Sequence, residues 1–140
     1  MRTAKEHLEK FGIRPSIQRV AVMSYLLNNR THPTVDEIYS ALLSTIPTLS
    51  RTTVYNTLKL LHDHGAVLVL SIDNSTTHYD GYTHPHAHFF CSECGRVFDV
   101  EMDDTEFVVR NRPKNAALIT DEALYYKGVC TECLHKQKQS

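Results

Sequence analysis

Two Cys-x-x-Cys pairs constrain this 140-residue chain more strongly than any other feature of its sequence. Cys91 and Cys94 form the first pair, and Cys130 and Cys133 form the second. Four thiolates in two such pairs are a typical ligand set for a tetrahedral Zn²⁺ ion, and because every coordination position is then filled, the role of the ion is structural. The pairs lie 36 positions apart, counted from Cys94 to Cys130, so the ion would attach the end of the chain to a much earlier hairpin.

Buried free thiols and a redox-active thiol pair are the alternatives to a zinc site at these cysteines. Two matched pairs disfavour the first, and the absence of a thioredoxin-like βαβ pattern around them disfavours the second. The N-terminus has no apolar segment of the signal-peptide type, and the longest apolar run, residues 66–70, is too short to span a bilayer. We therefore expect a cytoplasmic protein without a membrane partner, whose reduced thiols are available for zinc.

The first half of the sequence predicts four helices. Apolar residues at helical spacing, bounded by glycine or polar residues, indicate helices over residues 4–11, 15–28, 34–46 and 50–64. Pro15 suits the first turn of the second helix, and Thr34 with Glu37 has the form of a capping box for the third. Ser50 is a candidate N-cap for the fourth helix, and Gly65 stands where a left-handed C-terminal cap is expected.

A small β-hairpin is predicted directly after these helices. Residues 66–72 are apolar and β-branched, and residues 76–79 can return as a second strand after a turn at residues 73–75. Helices followed by a hairpin are the order of a winged helix-turn-helix. The recognition helix of that motif would be residues 50–64.

The second half predicts a small α/β domain. Its strand-like segments are residues 86–91, 97–101, 117–120 and 124–129, its helix is residues 103–112, and a polar tail covers residues 131–139. The predicted fold class is therefore α+β. We place an N-terminal domain at residues 1–78 and a second domain, with a zinc-stapled sheet, at residues 79–140.

A second group of potential metal ligands lies around the first cysteine pair. His84, His86 and His88 alternate along a predicted strand, so their imidazoles share one face, and Asp80 and Asp99 flank them in the sequence. Imidazole and carboxylate ligands together suit Fe²⁺ or Mn²⁺ better than an all-thiolate set does. A solvated or a core histidine accounts for each of the three equally well, so spacing alone leaves open which of these side chains bind a metal.

Charge is unevenly distributed along the chain, although its net charge is only −1. Residues 1–76 carry eight basic and six acidic side chains, a net +2, whereas residues 77–140 carry seven basic and ten acidic ones, a net −3. This asymmetry permits a DNA-facing first half with modest, salt-sensitive nonspecific affinity. The sequence contains neither a Gly-rich phosphate loop nor a G-x-S-x-G motif, so neither of these motifs points to an enzyme.

Several segments together resemble the ferric uptake regulator family over nearly the whole chain. They are residues 12–19 (GIRPSIQR), 32–39 (HPTVDEIY), 50–58 (SRTTVYNTL), 86–95 (HAHFFCSECG) and 128–133 (GVCTEC). The resemblance implies a winged-helix DNA-binding domain followed by an α/β dimerisation domain. It therefore implies a homodimer that binds a palindromic double-stranded DNA operator, and a transcriptional repressor rather than an enzyme with a small organic substrate.

Within the family the chain is most similar to the peroxide-responsive repressors. Those proteins hold a regulatory Fe²⁺ or Mn²⁺ with three histidines and two aspartates, and the matching positions here are His32, Asp80, His86, His88 and Asp99. Asp99 favours this branch because iron-responsive relatives usually have glutamate there, and Asn56 favours it because arginine is common there in those relatives. Spacing does not select His32, which is implied by the resemblance alone.

DNA contacts are expected from two sets of residues. Arg14, Arg19 and Arg51 are expected to meet phosphates, with a base edge as the alternative for Arg51. The first turns of the recognition helix supply the other candidates, Thr52, Thr53, Tyr55 and Asn56. Packing between helices is the competing role for Tyr55.

The resemblance implies a metal-dependent repressor that senses peroxide. Peroxide would react at the Fe²⁺ site and oxidise a ligand imidazole, His32 or His86, and loss of that ligand would release the DNA. The alternative in the same class is a repressor that senses iron, manganese or zinc itself. A dithiol oxidoreductase and a metal-dependent hydrolase lack a supporting signature, and the predicted recognition helix disfavours a zinc-stapled interaction module that binds no DNA.

Overall fold

A computed structural model describes residues 3–73, 76–83, 86–100, 115, 118 and 124–139 of the chain. The chain divides into two compact units, Met1–Thr83 and His84–Ser140. The helix predicted at residues 103–112 lies outside the described residues, and so does the strand predicted at residues 117–120 apart from one position. The described elements of the two units confirm the α+β fold class.

Four helices build most of the first unit: α1 (Ala4–Lys10), α2 (Ile17–Asn28), α3 (Val35–Leu42) and α4 (Arg51–Asp63). Each begins after a hydroxyl side chain that accepts a hydrogen bond from a backbone N–H of the first turn, and these caps are Thr3, Ser16, Thr34 and Ser50. An N-cap satisfies a donor that the helix itself leaves unpaired, which is typically worth about 1 kcal/mol. The four predicted helices are confirmed, and local capping explains where they start.

Two details of the helix prediction are wrong. Pro15 precedes α2 instead of lying in its first turn, because Ser16 is the N-cap and its Oγ accepts a hydrogen bond from Arg19 N at 3.2 Å. The third helix ends at Leu42 and does not continue to residue 46. A tighter turn follows it, in which the Leu42 carbonyl accepts hydrogen bonds from the backbone N–H groups of Thr45 and Ile46, at 3.1 and 2.9 Å.

An antiparallel hairpin completes the first unit. Strand β1 (Leu68–Asp73) pairs with β2 (Thr76–Asp80), so that Leu68 lies opposite Asp80. Gly65 has a φ of +81° and ends α4 in the left-handed conformation, as predicted. The hairpin after the helices confirms the winged helix-turn-helix. The boundary expected between residues 78 and 79 falls inside β2, whereas the compact units divide after Thr83.

A continuous apolar core lies between these helices and the hairpin. Its buried members are Leu8, Ile13, Val22, Met23, Leu26, Ile38, Leu49, Val54, Leu58, Leu61, Ala66, Val67 and Tyr79. Each large side chain among them contributes about 1.5–3 kcal/mol by leaving water. None of the helices in the described part of the chain has both the length and the apolar character that a membrane-spanning helix requires.

The second unit is built on a mixed sheet. Its elements are β3 (Ala87–Cys91), β4 (Val97–Val100), β5 (Leu124–Gly128) and the C-terminal helix α5 (Thr131–Gln139). The strand order is β4-β3-β5, in which β3 runs antiparallel to β4 and parallel to β5. The parallel pair matters most for the chemistry, because it brings the C-terminal ends of two strands far apart in sequence to the same edge of the sheet.

Candidate metal centres and candidate DNA-binding helix

The four cysteines come together in the second unit. One sulfur from each of Cys91, Cys94, Cys130 and Cys133 lies within 4.8 Å of the other three. Cys91 and Cys130 are buried, Cys133 is partly exposed and Cys94 is exposed. Pairing of β3 with β5 explains the proximity, because it places Cys91 opposite Gly128, which precedes the second cysteine pair by two residues.

Hydrogen bonds shape the first cysteine-bearing turn and hold the second turn against it. Gly95 N donates to the Cys91 carbonyl at 2.9 Å within the first turn, and Cys130 N donates to Cys91 Sγ at 3.3 Å between the turns. Ser92 joins the turns, because its backbone N–H and its hydroxyl both donate to the Gly128 carbonyl, at 2.8 and 3.1 Å. Gly95 allows the first turn with a φ of +76°, a conformation that costs glycine little.

The ionisation of the thiols shows that the cluster suits a cation. A hydrogen bond from the backbone of Cys130 lowers the pKa of Cys91 from 9.0 to about 6. A hydrogen bond with the Cys130 side chain, together with burial, raises the pKa of Cys133 to about 12. Thiolates this close repel one another, so ionisation of all four near neutral pH requires a compensating cation. Zn²⁺, which prefers four sulfur ligands in tetrahedral geometry, fits this donor set.

Arg96 adds a positive charge beside the sulfur atoms. Its Nε donates to Cys94 Sγ at 3.3 Å, and its Nη2 donates to Glu132 Oε2 at 2.7 Å. The hydrogen bond from Arg96 lowers the pKa of Cys94 and also lowers that of Glu132. Arg96 therefore favours the thiolate form of the cluster. No motif in the sequence singles it out, and its position two residues after Cys94 is the only sequence signal for it.

Three of the predicted regulatory ligands lie together in the second unit. His88 on β3 is directly opposite Asp99 on β4, so the two side chains share a face, and His86 lies two residues before His88 on that face. Asp99 Oδ1 is 3.0 Å from His86 Nε2 and 3.6 Å from His88 Nε2. The set thus offers two imidazole nitrogens and a carboxylate. His84 lies outside the described residues.

The other two predicted ligands, His32 and Asp80, lie together in the first unit. His32 Nε2 is 3.4 Å from Asp80 Oδ2, and each residue is only 2% exposed. Two hydrogen bonds attach the loop that carries His32 to β2. His78 Nδ1 donates to the His32 carbonyl at 2.8 Å, and Tyr79 N donates to the Pro33 carbonyl at 2.9 Å.

His32 also has an unusual backbone conformation. Its φ of +58° lies in the left-handed region that non-glycine residues seldom adopt, at a cost of about 1 kcal/mol or more. The bond from His78 offsets part of that cost. Asp80 is oriented as well, because its Oδ1 accepts a hydrogen bond from Tyr82 N at 2.9 Å. A buried carboxylate needs a compensating charge, so a cation suits this pair of donors.

The predicted DNA contacts all belong to the first unit, and most lie in the first two turns of α4. The exposed ones on α4 are Arg51, Thr52, Tyr55 and Asn56. Tyr55 is 53% exposed, which disfavours packing between helices as its main role. Thr53 is half-buried, and its Oγ1 lies 2.9 Å from Ser50 Oγ, so its hydroxyl takes part in the helix cap. Arg19 Nη1 donates to the Arg14 carbonyl at 2.9 Å.

Comparison with known proteins decides the family. Residues 10–126 match the sequence profile of the ferric uptake regulator family. The peroxide-responsive repressor PerR of Staphylococcus aureus (strain Mu50) is 36% identical over 130 residues, which make up 92% of this chain and 88% of that protein. The chain belongs to the ferric uptake regulator family.

Two solved structures of ferric uptake regulator relatives resemble this one. The regulator Fur of Helicobacter pylori has a TM-score of 0.71 and 25% identity, with 95% of each chain covered. The peroxide stress regulator of Campylobacter jejuni has a TM-score of 0.70 and 28% identity, covering 92% of this chain and 95% of that one. As a family member, the chain is a metal-responsive transcriptional regulator, and regulators of the ferric uptake family bind DNA as dimers.

Local sequence signals and the family resemblance identified different residues of this family member. The paired cysteines were found from spacing, and the alternating histidines indicated a candidate set. His32 came only from the resemblance, because a contact between a loop and a distant strand brings it to Asp80. No sequence periodicity reports such a contact.

Proposed function

We propose that this chain is a metal-dependent, peroxide-responsive repressor that binds operator DNA as a homodimer in the cytoplasm. The observation that carries the proposal is the position of Asp99, whose carboxylate oxygen lies within 3.6 Å of a nitrogen of both His86 and His88. Aspartate at that position, in a chain whose relatives include a peroxide-responsive repressor, favours the peroxide branch over the iron-responsive one.

The four cysteines are the proposed ligands of a structural Zn²⁺. Bound there, zinc would attach the start of α5 to the turn between β3 and β4. A closed site of four thiolates has no open position for a substrate, so its contribution is to folding. The structure of the H. pylori relative revealed three functional metal-binding sites. In addition to the four cysteines, the described part of this chain offers donors for a second metal-binding site.

The regulatory ion, Fe²⁺ or Mn²⁺, is assigned to the five ligands that the resemblance implies: His32, Asp80, His86, His88 and Asp99. Two carboxylates offset the 2+ charge, and neutral imidazoles supply nitrogen ligands that both metals accept. Within the first unit, His78 and Tyr79 hold the loop that carries one of these histidines. Ligands drawn from both units would make metal binding restrict the chain segment that connects the units.

That restriction is the proposed route from metal to DNA. A dimer must present its two α4 helices at the spacing of successive major grooves. A metal-bound conformation that meets this spacing binds DNA more tightly, and by linkage DNA then raises the metal affinity by the same factor. Arg14 and Arg19 are the proposed phosphate contacts, and Arg51 is proposed to meet either a phosphate or a base edge. Thr52, Thr53, Tyr55 and Asn56 are the proposed contacts of the first turns of α4.

Oxidation of a ligand is the proposed signal. Bound Fe²⁺ supplies the redox chemistry by which hydrogen peroxide can oxidise an adjacent imidazole. His32 and His86 are the proposed targets, and the net change adds one oxygen atom to the ring while the peroxide leaves as water. The oxidised ring is a poorer ligand, so the metal site weakens and the DNA is released.

The test compares protein loaded with Fe²⁺ and with Mn²⁺ for binding to its own promoter region, before and after hydrogen peroxide. We expect peroxide to release the Fe²⁺ form from DNA and to add one oxygen to a peptide containing His32 or His86, as read by mass spectrometry. The Mn²⁺ form should bind DNA and stay unmodified. Release of the Fe²⁺ form without any added oxygen on a histidine peptide would contradict the proposal.

The second candidate is a repressor that senses iron, manganese or zinc availability directly. The similarity of the fold to the H. pylori ferric uptake regulator favours it. A metal-availability sensor would release DNA when a chelator removes the regulatory metal, and peroxide would add nothing at a fixed metal concentration. The same binding assay with a chelator arm therefore separates the two functions.

A further inference from the structure

Arg51 occupies an electrostatically unfavourable position. It is the first residue of α4, directly after the N-cap Ser50. The N-terminus of a helix carries a partial positive charge, so a cation there is disfavoured and an acid is preferred. The first turn of α4 contains no acidic residue. Helix stability therefore does not explain an arginine at this position.

Two side chains of α3 hold the guanidinium group of Arg51 from outside its own helix. Asp36 Oδ1 accepts a hydrogen bond from Arg51 Nε at 2.8 Å. The guanidinium carbon lies 4.5 Å from the centre of the Tyr39 ring. Asp36 and Tyr39 are three positions apart on α3 and therefore adjoin each other on one helix face. Together they form a bracket, the acid at one edge of the guanidinium and the ring against its face.

The bracket is exposed to solvent, and its geometry leaves the two terminal guanidinium nitrogens of Arg51 available to a ligand. The Arg51 and Asp36 side chains are 64% and 76% exposed, so their ion pair adds little to stability. The bond to Asp36 uses Nε, and the two terminal nitrogens of Arg51 make no hydrogen bond within the described part of the chain. Those nitrogens can donate in parallel to two acceptor atoms of a base edge.

The negative charge of Asp36 opposes electrostatic attraction to DNA. Its exposed negative charge lies beside the helix that the proposed function places in the major groove, where it repels phosphates. An acid that weakens nonspecific binding but orients an arginine favours discrimination between sequences over affinity. The planar fork of arginine, unlike the point charge of lysine, gains from such orientation.

We infer that Asp36 and Tyr39 position Arg51 as a base-reading residue, so that Asp36 sets the sequence specificity of the repressor without touching DNA. This inference rests on the proposed function, because it needs DNA binding by α4. It decides the open choice for Arg51 between a phosphate and a base edge in favour of the base edge. Asp36 and Tyr39 are positioning residues that act through Arg51.

The experiment measures a specificity ratio with Mn²⁺-loaded full-length protein. The specific probe is a duplex that the wild-type protein selects from a random-sequence pool, and the reference is a scrambled duplex of the same composition. Asp36→Ala, which removes the oxygen that accepts from Arg51 Nε, should lower the ratio of the two affinities about fivefold or more, the range of one oriented base contact. Its affinity for the scrambled duplex should stay equal or rise, because a negative charge is removed.

Glu37→Gln is the matched control. Glu37 is the next residue of α3, is exposed and loses the same charge, and glutamine keeps an oxygen for the hydrogen bond from the Thr34 hydroxyl. The ratio should therefore stay at the wild-type value in this variant. Arg51→Lys should lower the ratio as Asp36→Ala does, and Asp36→Ala should have no further effect in the Arg51→Lys background.

Three results would overturn the inference. An equal ratio for Asp36→Ala and Glu37→Gln would show that Asp36 acts only through its charge. A further fall of the ratio in the double variant would show that Asp36 acts without Arg51. Loss of affinity for both duplexes in Asp36→Ala would assign Asp36 to folding. A wild-type protein that selects no sequence from the pool would instead contradict the proposed function itself.

Discussion

Replacing His78 by leucine should weaken binding of the regulatory ion although His78 is not one of its proposed ligands. His78 Nδ1 donates a 2.8 Å hydrogen bond to the His32 carbonyl and so supports the left-handed backbone at His32, with its φ of +58°. The second attachment of the loop, from Tyr79 N to the Pro33 carbonyl, survives the substitution. The loop should therefore stay attached while His32 gains access to less strained conformations.

The expected change in the Kd for Mn²⁺ follows from the free energy of the lost hydrogen bond. A hydrogen bond of this kind contributes about 0.5–1.5 kcal/mol net, and the left-handed conformation costs about 1 kcal/mol or more. Losing the bond raises the free energy of the binding-competent conformation by a similar amount and so lowers its population. A free-energy change of about 1.4 kcal/mol corresponds to a tenfold change in the apparent Kd. We expect the Kd for Mn²⁺ to rise roughly 2- to 10-fold, with DNA binding at saturating Mn²⁺ unchanged.

The assay is calorimetric titration of Mn²⁺ into zinc-loaded protein, with the wild type and two variants in parallel. His78→Asn is the control, because the side-chain N–H₂ of asparagine lies near the position of His78 Nδ1 and can donate the same bond. It should bind Mn²⁺ nearly as the wild type does. An unchanged Kd in His78→Leu would refute the claim that this bond positions His32, and so would an equal weakening in His78→Asn.

Three further predictions concern the cysteine cluster and the cap of α4. Cys130→Ser should abolish stoichiometric zinc, as measured by metal analysis, and should greatly lower the melting temperature, because three thiolates do not complete the site; retained zinc would contradict this. In the zinc-free protein, the pKa of Cys91 is lowered from 9.0 to about 6, which contributes stability that is present above pH 9 and is lost as the pH falls through 6. Urea midpoints should therefore decrease over that interval, and Cys91→Ser should make the decrease smaller, with the remainder due to Cys94, whose pKa is also lowered; an unchanged decrease in Cys91→Ser would contradict this. Ser50→Ala should destabilise the protein by about 1 kcal/mol by removing the cap of α4, whereas Ser40→Ala, at an exposed position inside α3, should change the melting temperature little.

Much of the fold could be predicted because its signals are local. The caps Ser50 and Thr34 begin helices through hydrogen bonds to N–H groups three residues away, and Gly65 ends α4 through its own backbone freedom. The wrong start of the second helix also has a local cause, because two neighbouring residues compete for the first position of the helix. Pro15 suits a first turn, but Ser16 captures the N–H of Arg19 and so becomes the cap.

The candidate site could be predicted only in part, because its members meet through tertiary contacts. Alternation on a strand identified His86 and His88 as possible partners, and the register of β3 with β4 then set Asp99 opposite His88. His32 has no such relation in sequence, because its position depends on hydrogen bonds from β2. No sequence motif points to Asp36, whose relevance comes from a contact between two helices.

By itself the sequence indicated the four cysteines as a zinc ligand set, the alternating histidines as candidate ligands, the helices of the first unit and the hairpin that follows them. These depend on residue chemistry and on interactions between neighbours a few positions apart. Only the tertiary structure decided which groups meet. The parallel pairing of β3 with β5 brings Cys91 within reach of Cys130, and helix packing sets Asp36 against Arg51. The physical reason is that strand register and helix packing are fixed by the burial of many side chains together, so no single motif records them.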